Sequence, residues 1–191
     1  MNSHCVIVEL QQGTPEWREW RHRGIGSSDA SIIMGENGFR SAADLLRERR
    51  GPARDFGQNQ SMTRGIDIEP EARSRYAART RRTVAPACLQ STRYDWLRAS
   101  VDGLASTHDT AVEIKCGRSN YMRVFQSRCV PHWHRGQLQH ILAVTGFDAV
   151  DFWCYSPGCD GLLLSVERDN AYIECLLDRE LKFWNEVQRA V

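Results

Sequence analysis
The residues with the most chemical content lie between positions 100 and 116, where Ser100-Val101-Asp102-Gly103 precedes Val112-Glu113-Ile114-Lys115-Cys116. Side chains alternate across a strand, so Glu113 and Lys115 share one face while Val112 and Ile114 share the other. An acid and a lysine flanked by apolar neighbours are costly unless something compensates them. Asp102 stands at a strand end, and Gly103 turns the chain. If the two segments pair as a hairpin, Asp102 approaches Glu113. Two converging carboxylates repel, and a hard divalent cation removes that penalty. Mg²⁺ takes carboxylate oxygens and keeps waters, which suits phosphate hydrolysis, and a neighbouring lysine can hold or activate the attacking water. Glu-x-Lys alone is common as a surface pair on an edge strand; Asp102-Gly103 upstream is what raises it above that reading.

Other candidates are weaker. Seven cysteines, an odd number, read as reduced thiols, most of them small buried apolar residues. Cys129-x2-His132-x-His134 and Cys154-x4-Cys159 lack the four-ligand spacing of structural zinc sites. His132, His134 and His140 are read as non-ligands, because Mg²⁺ favours oxygen. The basic residues are 23 Arg and only two Lys, Lys115 and Lys182, and the formal net charge is +1. The first hundred residues carry a net +4 and the remainder −3, so a local basic face is possible while a bulk polycation is excluded. Arg73, Arg75, Arg79, Arg81 and Arg82 form either a solvated face or a track for a nucleic-acid backbone.

At 191 residues, 41% hydrophobic and 26% charged, the chain reads as one globular domain over 1–191. No apolar run reaches the roughly 20 residues of a bilayer span. No signal peptide is visible at Met1 to Leu10, and a cytoplasmic location is expected. Thr14-Pro15-Glu16 opens a helix bearing Trp17, Trp20 and Arg21, and Gly24 to Asp29 caps a second. Ser41 and Asp44 have capping-box spacing ahead of a helix that stops at Gly51. Pro52 to Ser61 is read as a loop, and 68–82 as a helix with Ile68, Ala72 and Tyr76 on one stripe; Pro70 implies that it starts there or bends. Strands are expected at 83–92, 97–101 and 111–115, helices at 118–127 and 132–145, strands at 149–155 and 161–167, and a last helix at 170–189. That order gives an α/β fold, a mixed sheet flanked by helices.

Asp102-x10-Glu113-x-Lys115 across a strand pair resembles the PD-(D/E)XK nuclease signature. More specifically, the chain resembles lambda-type exonucleases, the YqaJ-like viral recombinase group, from about Trp17 to Val166. Gly24-Ile25-Gly26-Ser27-Ser28-Asp29 is similar to that family's N-terminal motif. Arg64-Gly65-x3-Glu69-x2-Ala72-x3-Tyr76 is similar to its acidic helix, and Gln137-Leu138-Gln139 after Trp133 to its Gln-x-Gln motif. Val101 departs from the proline common at that position, and Asn37 to Arg64 aligns poorly.

The resemblance implies a restriction-endonuclease-like fold and a Mg²⁺-dependent exonuclease, with Mn²⁺ able to substitute. It implies degradation of one strand of double-stranded DNA from its ends, 5′ to 3′, giving 5′-mononucleotides and a 3′ overhang for recombination. By the same resemblance Asp102, Glu113 and the Ile114 carbonyl hold the metal, Lys115 positions the water, and Glu69 joins through the metal's waters. Arg21, Ser28, Ser100 and Gln139 fall where the family binds the 5′ phosphate. A single-strand annealing protein and a homotrimeric ring follow as partners, and a membrane does not. The rival readings are another nuclease of the superfamily, an endonuclease or single-strand nuclease, an iron–sulfur nuclease, and a non-catalytic DNA-end-binding protein.

Overall fold
The computed structural model describes residues 4–52 and 60–189. Six strands form one mixed sheet in sequential order: β1 (Cys5–Val8), β2 (Val84–Ser91), β3 (Arg98–Ala105), β4 (Ala111–Cys116), β5 (Ala149–Tyr155) and β6 (Leu162–Glu167). All neighbours are antiparallel except β4 and β5, which run parallel. Parallel neighbours need a crossover, and it is supplied by α5 (Arg118–Ser127), a 3-10 turn at His132–His134, and α6 (Arg135–Thr145). The remaining helices are α1 (Pro15–His22), α2 (Ser27–Ile33), α3 (Ala42–Arg49), α4 (Gln60–Thr80) and α7 (Asn170–Gln188). The α/β class and the mixed, helix-flanked sheet are as the sequence predicts.

Two cores follow from the alternation along β4 and β5. On one face, α4 presses Ala72 and Tyr76 onto Val112, Ile114, Trp153 and Tyr155. Trp153 Nε1 donates to the Ala72 carbonyl at 2.9 Å, and the Tyr76 hydroxyl donates to Asp151 at 2.6 Å. Both polar tips are therefore satisfied inside the core. On the other face, α2, α6 and α7 contribute Ile32, Leu138, Ile141, Leu142, Ile173 and Phe183 against Ala99, Val101, Phe152 and Cys154.

The caps explain several boundaries. The Thr14 side chain accepts from Trp17 N, with Pro15 in the first turn of α1. Ser41 and Asp44 make the expected reciprocal box at α3. Other expectations need correction. Strand β1, an apolar run of four at one sheet edge, is absent from the sequence reading. Helix α4 begins at Gln60 and runs through Pro70. A proline in a helix interior costs about 3 kcal/mol, and wholly buried Ala72 and Tyr76 offset it by docking the helix on the sheet. The expected loop over Pro52 to Ser61 thus gives way to helix at Gln60; 53–59 and the Arg64 side chain lie outside the described residues. All seven cysteines are free, but only Cys88 and Cys154 are fully buried, while Cys129, Cys159 and Cys175 are exposed.

A candidate metal centre and phosphate pocket
Strands β3 and β4 are paired at Gly103–Val112 and Leu104–Ala111. Beyond that point the ladder gives way to a side chain: Asp102 Oδ2 accepts the backbone N–H of Ile114 at 2.7 Å. The carboxylate sits where the two strands part. Gly103 makes this possible, because a Cβ there would stand 2.6 Å from Val112 Cγ1 and 3.1 Å from Val84.

On β4, Lys115 Nζ donates to Glu113 Oε1 at 2.6 Å. The same oxygen accepts Gln137 Nε2 from α6, also at 2.6 Å. Glu113 Oε2 is buried and has no hydrogen-bond partner among the described residues. From α4, Glu69 ion-pairs with Arg73 one turn on, and Arg73 Nε donates to the Asp102 carbonyl oxygen at 2.7 Å. Asp102, Glu113, Lys115 and Glu69 are therefore brought together from three elements.

Their electrostatics reflect crowding. Burial, then Glu113 and Glu69, push the Asp102 carboxyl well above the usual range, against the pull of Lys115. Burial also raises Glu69, with Glu113 adding and Arg73 opposing. For Lys115, burial favours the neutral amine, but the Glu113 and Asp102 carboxylates outweigh it and hold the ammonium more firmly. Burial and then Lys115 lower His134 to about 3, so this imidazole is neutral at physiological pH.

The donor set fits a hard cation. Among the described residues no three His, Cys, Asp or Glu side chains form a ready-made cage. The geometry offers instead two carboxylates with one orphaned oxygen, a set Mg²⁺ completes with waters. A positive ion would also offset the Glu113 and Glu69 charges that add to burial in raising the Asp102 carboxyl.

A second cluster lies along β3. Ser100 and Asp102 point to the same side of the strand, about 7 Å apart along it. Ser100 Oγ accepts Trp17 Nε1 at 2.9 Å. The Arg21 guanidinium lies over the Trp17 ring, 4.8 Å from its centre, and donates to Ser28 Oγ at 2.7 Å. Arg21 is half-buried and Ser28 exposed, so the cluster opens outward. Helix α1 thereby delivers Trp17 and Arg21 to one point through i, i+4 spacing.

Gln139 is not brought to this cluster. Both ends of its amide are committed to backbone: Nε2 donates to the Glu167 carbonyl at 2.8 Å and Oε1 accepts Asp169 N at 2.9 Å. It ties α6 to the start of α7. The amide that reaches Glu113 is Gln137, two residues earlier on the flank of α6. Gln137, Arg73 and Trp17 are the contributors that sequence reasoning missed. Arg73 carried one signal, its i, i+4 spacing from Glu69; Gln137 carried none that separated it from Gln139.

A family model described as the YqaJ-like viral recombinase domain matches residues 16–148. The chain belongs to that family. It is 27% identical over 190 residues to an uncharacterized Bacillus subtilis (strain 168) protein, YqaJ, covering 96% of this chain and 59% of that one. The chain thus spans well under two thirds of that relative's length. An alkaline exonuclease from Laribacter hongkongensis has a similar fold, with a TM-score of 0.81, 24% identity, and coverage of 92% and 93% of the two chains. A phage-related exonuclease from Haemophilus somnus 129PT matches with a TM-score of 0.63 at 12% identity, covering 91% and 96%. The exonuclease fold is shared; at these identities the likeness speaks for architecture alone.

Proposed function
We propose that the protein is a Mg²⁺-dependent exonuclease that degrades one strand of double-stranded DNA from its end, 5′ to 3′. The observation that carries this reading is the meeting of Asp102, Glu113 and Lys115 at the parting of β3 and β4, with one Glu113 oxygen left without a partner among the described residues. Family membership and the exonuclease-like fold support it.

Each residue has a role in this reading. Asp102 and Glu113, with the Ile114 carbonyl, hold the ion. When bound, Mg²⁺ supplies positive charge that offsets the phosphate and acidifies water. Lys115, held as an ammonium by Glu113, orients the attacking water and stabilises charge developing on the phosphate. Gln137 fixes the Glu113 carboxylate, and Arg73 fixes Glu69 and the β3 backbone beside Asp102. Arg21, Ser28 and Ser100 receive the terminal phosphate, for which the guanidinium fork offers paired charge-assisted bonds. The reach between Ser100 and Asp102, about one strand repeat, sets that terminus one linkage from the scissile bond.

Charge favours DNA as the substrate. From Ile114 to Phe147 the chain carries five basic residues and no acid. Among the described residues, Arg118, Arg123 and Arg128 meet no carboxylate; Arg123 and Arg128 lie over the rings of Trp133 and Phe125. They leave the candidate centre along α5, a path for a phosphate backbone. Products would be 5′-mononucleotides and a 3′ overhang, handed to a single-strand annealing protein for recombination. A homotrimeric ring around the duplex belongs to the same proposal.

The test is nucleotide release from linear duplexes labelled separately at each 5′ and 3′ end, with and without Mg²⁺. Early release of 5′-terminal label only with Mg²⁺ is expected. Cutting of a covalently closed circle, or release of 3′ label first, would replace the reading with another nuclease of the same superfamily.

A further inference from the structure
Behind Arg21 and Ser28 lies a buried charge pair that the hydrolytic reading leaves unused. Arg49, at the end of α3, is ion-paired with Asp29 of α2, and the two side chains are only 5% and 7% exposed. The same guanidinium donates through its other terminal nitrogen to the Arg21 carbonyl oxygen at 3.0 Å. Asp29 Oδ2 also accepts Gly26 N at 2.9 Å, closing the first turn of α2. One side chain therefore bolts the end of α1, which carries Arg21, to the turn of α2, which carries Ser28. The clearance is small: a Cβ on Gly26 would stand 3.4 Å from the Arg21 guanidinium nitrogens.

The charge inventory points outward. Two guanidiniums, Arg21 and Arg49, face the single carboxylate of Asp29. Glu48, the other acid close to Arg21, is ion-paired with Arg40. A positive excess is left on the open side, at exposed Ser28. A buried ion pair is a poor source of stability, since its desolvation cost rivals its attraction. Setting a geometry is the use that remains.

We infer that Arg49, acting through Asp29 and the Arg21 carbonyl, is a positioning residue that sets the Arg21–Ser28 spacing and so the preference for a terminal phosphate monoester over a hydroxyl. This rests on the reading of that cluster as a phosphate pocket.

The test is binding without divalent metal. Fluorescence anisotropy in EDTA compares two otherwise identical short duplexes, one with a 5′-phosphate and one with a 5′-hydroxyl. The wild-type protein should prefer the phosphate, and Arg21→Ala should bring the ratio of affinities to about one. Arg49→Met should lower the ratio about tenfold, the scale of one charge-assisted hydrogen bond. Arg49→Lys should retain part of it, because an ammonium cannot span both acceptors as the fork does. Should Arg49→Met fold poorly with Asp29 left unpaired, the double variant Arg49→Met/Asp29→Asn removes both charges and should also lose the preference. A folded double variant that kept the wild-type ratio would overturn the inference while leaving the pocket intact. No wild-type preference, or a ratio unmoved by Arg21→Ala, would overturn the pocket and the inference together.

Discussion
In the proposed reaction Glu113 carries more of the chemistry than any other side chain. One of its oxygens takes both the Lys115 ammonium and the Gln137 amide; the other is buried with no hydrogen-bond partner among the described residues. A carboxylate so placed is poised to share a cation, and its removal should show in two readouts. Glu113→Gln should lower Mg²⁺-dependent nucleotide release by at least about a hundredfold, as loss of a principal electrostatic group does. It should also abolish the rise in Tm that Mg²⁺ gives the wild-type protein, since an ion stabilises only a fold that binds it. An unchanged Mg²⁺ shift in a folded Glu113→Gln protein would place the ion elsewhere. Asp102, Glu113 and Lys115 were legible because a strand's alternation fixes which side chains share a face. Gln139 was misplaced because neighbours two apart on a helix point roughly opposite ways. Only packing decides which of Gln137 and Gln139 turns toward β4.

At the scale of elements, the parting of β3 and β4 depends on Gly103. Gly103→Ala should cost about 1–3 kcal/mol in urea unfolding, as overpacking does, and should reduce activity by displacing Asp102. Wild-type stability in that variant would mean Val112 and Val84 can give way. A second prediction concerns α6 and α7. His140 is wholly buried, with Nδ1 2.7 Å from Glu180 and Nε2 2.8 Å from the Arg98 carbonyl. Burial works against its charge, but Glu180 outweighs it and raises the imidazole above its usual value. A raised histidine adds stability that is complete below about pH 6.5 and is lost as pH climbs through the folded value. The wild-type Tm should therefore fall from pH 6.5 upward more steeply than that of His140→Gln; parallel profiles would remove the pair from the account. Most helices and five strands were legible from period and caps. Strand β1 was not, because four apolar residues carry no period, and the early start of α4 was hidden by Gly65 and Pro70, two residues that local propensity sets against helix.

For the molecule as a whole, a formal charge of +1 conceals an uneven distribution. Many arginines elsewhere are answered by acids, as in Arg23–Glu19, Arg75–Glu71 and Arg135–Asp169, whereas among the described residues those along α5 are not. Replacing Arg118, Arg123 and Arg128 together by Gln should weaken DNA binding uniformly across sequences. The slope of log affinity against log salt should fall by about two to three units, if each neutralises one phosphate. An unchanged slope would move the DNA path off α5. Among the described residues, no helix is long and apolar enough to cross a membrane.

The crossover between β4 and β5 has a bearing on biosynthesis. Glu69, Asp102, Glu113 and Gln137 enter from four segments scattered over the chain, and Gln137 reaches Glu113 only after α5 and α6 have folded back to seat β5 beside β4. A nascent chain that stops short of α6 lacks the amide that fixes Glu113, so the proposed centre is unfinished in it. Under the proposed function, hydrolysis is thereby withheld until α6 has been made and has docked on the sheet.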